Sequence, residues 1–200
     1  MINKSIDYIY NIKRLILALQ DEHVERIAKI VYQDERFPIW SGSSKDTQHH
    51  YGKGGLAQHT WEVIESSMLI HEYYHTGEDK RKVFLAALFH DCGKMWDYEP
   101  VTHKVSIDRV TDMTDWQSTQ HKYRIHHLPK SAIEWCKAVE HCDKFIDSPF
   151  KEWEDDITHA ILAHHGLRAW GSPVEPKTSL AWILHLCDNM SARIYEAKEL

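Results

Sequence analysis

The sequence predicts an all-α domain, a helical bundle around one central buried helix. Two observations carry that expectation. Through most of the chain, apolar residues recur three or four positions apart, the spacing of one helix face. The segment VFLAALF (83–89) is apolar on every side, as a helix buried all round must be. Its length also suits a buried strand, but its alanines and leucines favour helix and no second strand-like run exists to pair with it.

The elements follow in order. Residues 5–19 place Ile6, Ile9, Tyr10, Ile12, Ile16 and Leu19 at helical spacing. A second helix fits 24–31 and ends before Pro38. SGSSKDTQHHYGKGG (41–55) is small, polar and glycine-rich, hence a loop. Helical pattern returns from about His59 to His75, with Gly77 as its stop. The central helix comes next. Residues 99–118 are irregular, and VTHKVSIDRV alternates weakly enough to suggest a short hairpin. Helices then fit 120–142, 152–165 and 178–198, with Gly166 closing the second and Pro173 and Pro176 separating it from the third. Without repeats or a linker, the expected organisation is one domain over 1–200, helices and loop in 1–50 and a core in 51–198.

Composition excludes several classes. A chain of 200 residues, 42% hydrophobic and 27% charged, is long enough for one soluble core, and only 8 Gly and 6 Pro rule out collagen-like and low-complexity chains. No apolar run approaches the roughly 18 residues of a membrane span. The apolar patch Leu15–Leu19 lacks a small-residue cleavage site, so no signal peptide is expected and a cytoplasmic location follows. Net charge is −6, which offers no broad basic surface for nucleic acid. The four cysteines form no CxxC pair and read as buried reduced thiols. Histidine is the outlier, at 16 residues. Either the surface is histidine-rich by accident or the protein uses imidazole for metal or proton chemistry.

The acids decide where to look. Asp91 ends the most apolar segment of the chain and Asp188 lies in AWILHLCDNM. A buried carboxylate without a partner costs several kcal/mol, so each needs a counter-charge. A salt bridge or a helix cap would suffice for one of them. The ordered series His59, His90-Asp91, His127, His164-His165 and Asp188 is harder to explain one residue at a time. Imidazole and carboxylate donors without nearby cysteine suit divalent Mn, Fe, Co, Ni or Zn. Seven donors exceed what one ion uses, so two ions bridged by a carboxylate are the simplest account.

That series, with HDCGK at 90–94, resembles the HD-domain superfamily of metal-dependent phosphohydrolases. ILAHHGLRAWGSPVEPKTSLAWILHLCDNMSARI is similar to the HD domain of bacterial 3′→5′ exoribonucleases of the YhaM type, and the likeness covers about 50–195. The resemblance implies an all-α fold with a central metal site, ligands at His59, His90, Asp91, His127, His164, His165 and Asp188, and hydrolysis of a nucleotide, oligonucleotide or other phosphate ester. His126 is the alternative to His127; Leu128 after the latter matches the relatives. In the implied mechanism a hydroxide bridging two ions attacks phosphorus, Asp91 bridges the ions, and Lys94 contacts a phosphate oxygen. Lys94 could equally be a surface lysine facing a helix C-terminus. YhaM-type enzymes carry an OB-fold before the HD domain, whereas residues 1–50 read helical, so RNA degradation does not transfer with the domain. The GYP element of cyclic-dinucleotide-cleaving HD domains is missing. Two other readings stand beside the hydrolase: a di-iron oxygenase, whose relatives use one histidine at the doublet, and a metal-stabilised binding module without catalysis.

Two further features call for weighing. His71-Glu72-Tyr73-Tyr74-His75 matches the HExxH zinc-protease pattern, but Gly77 ends the helix and no metzincin extension follows, so a solvated face suffices. Trp40, Trp96 and Trp170 lie in or beside loops, where indoles either pack as core or stack on a nucleobase.

Overall fold

A computed structural model describes residues 4–106, 109–143 and 150–196. Helix α1 (Lys4–Leu19) buries Ile12, Ile16 and Leu19, while Tyr10, which the spacing assigned to the same face, points outward. Helix α2 (Glu22–Tyr32) starts two residues earlier than its apolar pattern because Asp21 caps it, accepting from the His23 and Val24 amides at 2.9 and 3.1 Å.

Helix α3 (Gly55–Tyr74) and helix α4 (Lys80–Phe89) follow. Every residue of VFLAALF is buried, since α4 packs against α2 and α3 and against three later helices, α7 (His127–Asp143), α8 (Phe150–Ala163) and α9 (Ser179–Glu196). Arg81 ties two caps together: its Nη1 meets Asp21 Oδ2 at 2.6 Å and its Nε meets Asp79, the α4 cap, at 2.9 Å. Among the described residues no helix is long and apolar enough to cross a membrane.

The hairpin suggested within 99–118 forms and takes in all the described residues of that segment, and one later segment differs from the sequence reading. Beyond the one-turn helix α5 (Lys94–Asp97), strands β1 (Tyr98–Ser106) and β2 (Arg109–Ser118) pair antiparallel, in register from Tyr98↔Ser118 to Thr102↔Thr114. Trp40 anchors the base of this hairpin, donating from Nε1 to the Tyr98 carbonyl at 2.9 Å and meeting the buried Trp116 edge-on. The expected helix over 120–142 is two helices, α6 (Gln120–Arg124) and α7. Pro129 explains the break. In a continuous helix its ring would meet the Ile125 carbonyl, whereas in the first turn of α7 its missing N–H costs nothing. His126 absorbs the turn at φ 73°.

Candidate metal centre

Each candidate residue sits at an element boundary or on a face turned to the centre. His59 lies in the second turn of α3, and Asp188 is on α9. His90 caps α4, Asp91 follows it, and Lys94 opens α5. His127 is the first residue of α7. The doublet His164-His165, expected inside a helix over 152–165, lies in the turn just after α8. Gly93 allows the HD turn to approach α7, because a Cβ there would lie 2.4 Å from the His127 carbonyl oxygen. Gly166, at φ 84°, leaves room for His185, whose Cε1 would be 2.3 Å from an added Cβ.

Two groups of donors meet around Asp91: His59, His90, Asp91 and Asp188 form one, and His127, His164 and His165 the other, each with its donor atoms within 4.8 Å of one another. A third group, Asp97, His126 and His127, lies on the outer side of the His127 ring, where Asp97 takes its Nδ1–H. His59 Nε2 lies 3.2 Å from His90 Nε2 and 3.1 Å from both Asp91 Oδ2 and Asp188 Oδ1. In the second group His127 Nε2 and His165 Nε2 are 3.2 Å apart. Asp91 reaches both: its other oxygen, Oδ1, is 3.5 Å from His127 Nε2 and 3.6 Å from His164 Nε2.

Hydrogen bonds on the far side of each ring set its tautomer. The Nδ1–H groups of His90 and His164 donate to the carbonyls of Ala87 and Ile161, both at 2.7 Å. Those of His127 and His165 donate to Asp97 at 3.0 Å and to the Trp170 carbonyl at 3.1 Å. His59 donates to Ser191 Oγ at 3.0 Å, which itself donates to Glu62. Every neutral ring therefore turns an Nε2 lone pair inward, the pattern of ligands oriented by outer partners. Lone pairs 3.2 Å apart share no proton, and Asp91 Oδ1 and His164 Nε2 are buried without a hydrogen-bond partner. A cation answers all of this at once. Bonds of about 2.1 Å at tetrahedral or right angles place neighbouring donors roughly 3.0–3.4 Å apart, close to the spacing found. The nitrogen and oxygen donors fit a divalent transition metal.

Charge agrees with that arrangement. Burial by itself raises the Asp91 carboxyl, but Lys94 and His90 outweigh it and hold the group well below the usual carboxylate range. Burial would likewise strip the Lys94 proton; Asp91, 2.6 Å away, keeps it on. Burial lowers His164 to about 3 and pushes His127 well down, so both stay neutral. For His59 burial opposes charge, yet the hydrogen bonds to Asp188 and Asp91 outweigh it and raise the ring above its ordinary value.

Lys94 is thus no surface lysine, being 8% exposed. His127, rather than His126, stands beside Asp91; the His126 ring lies against that of His127, centroids 4.1 Å apart. The HExxH histidines part company, since His71 bonds Thr76 and His75 is left-handed beyond the end of α3. Trp96 is sandwiched between Arg36 and Lys130, and of the three loop tryptophans Trp170 is the exposed one. Sequence reasoning missed Asp97, which is fully buried and accepts from the His127 amide and ring and from His121 Nδ1 at 2.8–3.0 Å. Its only signal was a second acid close behind HDCGK.

Known proteins extend the comparison. The 3′-5′ exoribonuclease YhaM of Shouchella clausii (strain KSM-K16) is 25% identical over 94% of this chain and 53% of its own length. The YhaM of Geobacillus sp. (strain WCH70) is 26% identical, over 96% and 53%, and that of Bacillus subtilis (strain 168) 25%, over 92% and 52%. The chain spans about half the length of the curated relatives it matches. No solved structure matches it. Residues 56–193, which contain every donor of both groups, match the HD domain, and the chain belongs to that family.

Proposed function

We propose that this chain is a metal-dependent phosphohydrolase that cleaves a nucleotide or phosphodiester with two divalent ions. One observation carries the reading: the two oxygens of Asp91 face two separate groups of imidazole nitrogens. In this reading His59, His90 and Asp188 would hold one ion and His127, His164 and His165 the other, with one oxygen of Asp91 turned to each group. Bound ions supply a water of lowered pKa as nucleophile and positive charge against the phosphoryl oxygens.

The chain's own residues do the rest. Asp91 keeps the two groups in register, and the outer Nδ1 bonds keep the lone pairs turned inward without rearrangement. Lys94 holds its proton beside Asp91 and donates toward a phosphoryl oxygen, offsetting the negative charge that builds there. Burial of His90, Asp91 and His164 keeps bulk water away, which strengthens each of these interactions. Both rings of the doublet turn their Nε2 atoms to the centre, which supports the hydrolase over an oxygenase that uses a single histidine there.

The relatives are named as exoribonucleases, so short oligoribonucleotides are the first substrates to try, with nucleotides beside them. Metal analysis of the purified protein should return about two ions per chain. Chelation should abolish hydrolysis and Mn²⁺ or another transition metal should restore it. Full turnover in the chelated protein would overturn the proposal.

A further inference from the structure

A cavity of about 290 Å³ opens beside the metal centre, bounded by His165 and Asp188 at its floor and by Trp170, Gln48 and Asn189 among its walls. Trp170 is 54% exposed there, although an indole of that size ordinarily finds cover. The ring is nonetheless firmly placed. Its plane lies 30° from that of the His185 ring, centroids 6.4 Å apart. His185 donates from Nδ1 to the His164 carbonyl at 2.8 Å, in the space that Gly166 leaves free. The Trp170 amide bonds the Leu167 carbonyl at 2.9 Å, and its own carbonyl receives the Nδ1–H of His165. The backbone that carries the indole is therefore the one that aims the doublet.

We propose that this cavity is a nucleoside subsite in which the Trp170 indole stacks on the base. The inference rests on the phosphohydrolase reading and names a specificity-determining residue for it. A phosphate ester reaching His165 and Asp188 leaves its organic group in the cavity, against the ring. The volume suits one nucleoside. Gln48 carries an amide donor and acceptor, and Asn189, whose Nδ2 bonds the His185 carbonyl at 3.2 Å, adds an amide oxygen; these match a base edge or a ribose hydroxyl. Stacking accepts any base, because every base has a π-face, so purine and pyrimidine should differ little.

The test is calorimetric titration of the metal-loaded protein with adenosine 5′-monophosphate, uridine 5′-monophosphate and ribose 5-phosphate, which share the phosphate and differ in the base. Both nucleotides should bind about 5- to 150-fold tighter than ribose 5-phosphate, the range for one base–aromatic stack. Trp170→Ala should bring that ratio close to one, and Trp170→Phe should keep most of it. Because the bond to His165 comes from the backbone carbonyl, both variants should retain their metal. Equal affinities in the parent protein, or an unchanged ratio in Trp170→Ala, would overturn the subsite. Tighter binding of both nucleotides than of ribose 5-phosphate that depends on Trp170, in a protein that turns over no phosphate ester, would refute the hydrolase and leave the subsite standing; turnover with equal affinities would do the reverse.

Discussion

Asp97→Asn tests whether the two groups of donors are separate sites. The Asp97 carboxylate is fully buried; Oδ1 accepts from His121 and Oδ2 from the His127 amide and ring. Asparagine keeps one carbonyl oxygen and turns an NH₂ toward donors on its other side. At least one charge-assisted bond is lost, worth about 1.5–3 kcal/mol. Loss on the His127 side releases the ring orientation that points Nε2 at the second group, and outer-partner losses of this kind weaken metal affinity about 10–100-fold. No atom of Asp97 touches the first group, so His59, His90, Asp91 and Asp188 should keep their ion. Elemental analysis after dialysis against graded free metal should show one ion leaving at about 10–100-fold higher free metal than in the parent, the other unmoved. Parallel loss of both ions, or unchanged binding of both, would refute the division into two sites with His127 in only one of them.

Four other substitutions probe the same framework. Asp91→Ala should lose both metal and turnover, whereas Lys94→Ala should keep its metal and lose turnover by roughly 10²–10³, the effect of one well-placed electrostatic donor; parent-like rates would remove Lys94 from the chemistry. Gly166→Ala, whose Cβ would lie 2.3 Å from His185, should lower stability by about 1–3 kcal/mol in chemical denaturation, and adding His185→Ala should recover part of the loss. Arg81→Met should cost about 1 kcal/mol at pH 7, since it unties Asp21 from Asp79. Burial raises both carboxyls, as the largest single effect at Asp21, and Arg81 helps to hold both below their usual 3.8. A depressed folded-state pKa stabilises above the unfolded value and fades in acid. The gap between parent and variant should thus be full above about pH 4 and close as pH falls further; a gap that widens in acid would contradict the pairing.

Local pattern by itself determined the helices, because burial of one face writes a 3.6-residue period into any chain that forms them. It marked α4 as the centre, since only a helix covered on all sides tolerates VFLAALF. It also singled out Asp91 and Asp188, whose cost in apolar surroundings is visible before any fold is known, while the five histidines stood out as an ordered series that resembles the HD domain. Some readings failed on local chemistry that was present: Pro129 forbids one helix over 120–142, and Tyr10 lies off the buried face of α1. Other facts had no local trace. Which histidines form a group depends on how α3, α4, α7, α8 and α9 meet, and positions as distant as His59 and Asp188 come within 3.1 Å only through packing. The role of Asp97 and the burial of Lys94 belong here too, because a side chain's partners across the core are set by the three-dimensional arrangement and leave no period in the sequence. Sequence supplied the donors; tertiary structure decided that one carboxylate, Asp91, faces both groups, since only the close approach at Gly93 brings the HD turn against α7.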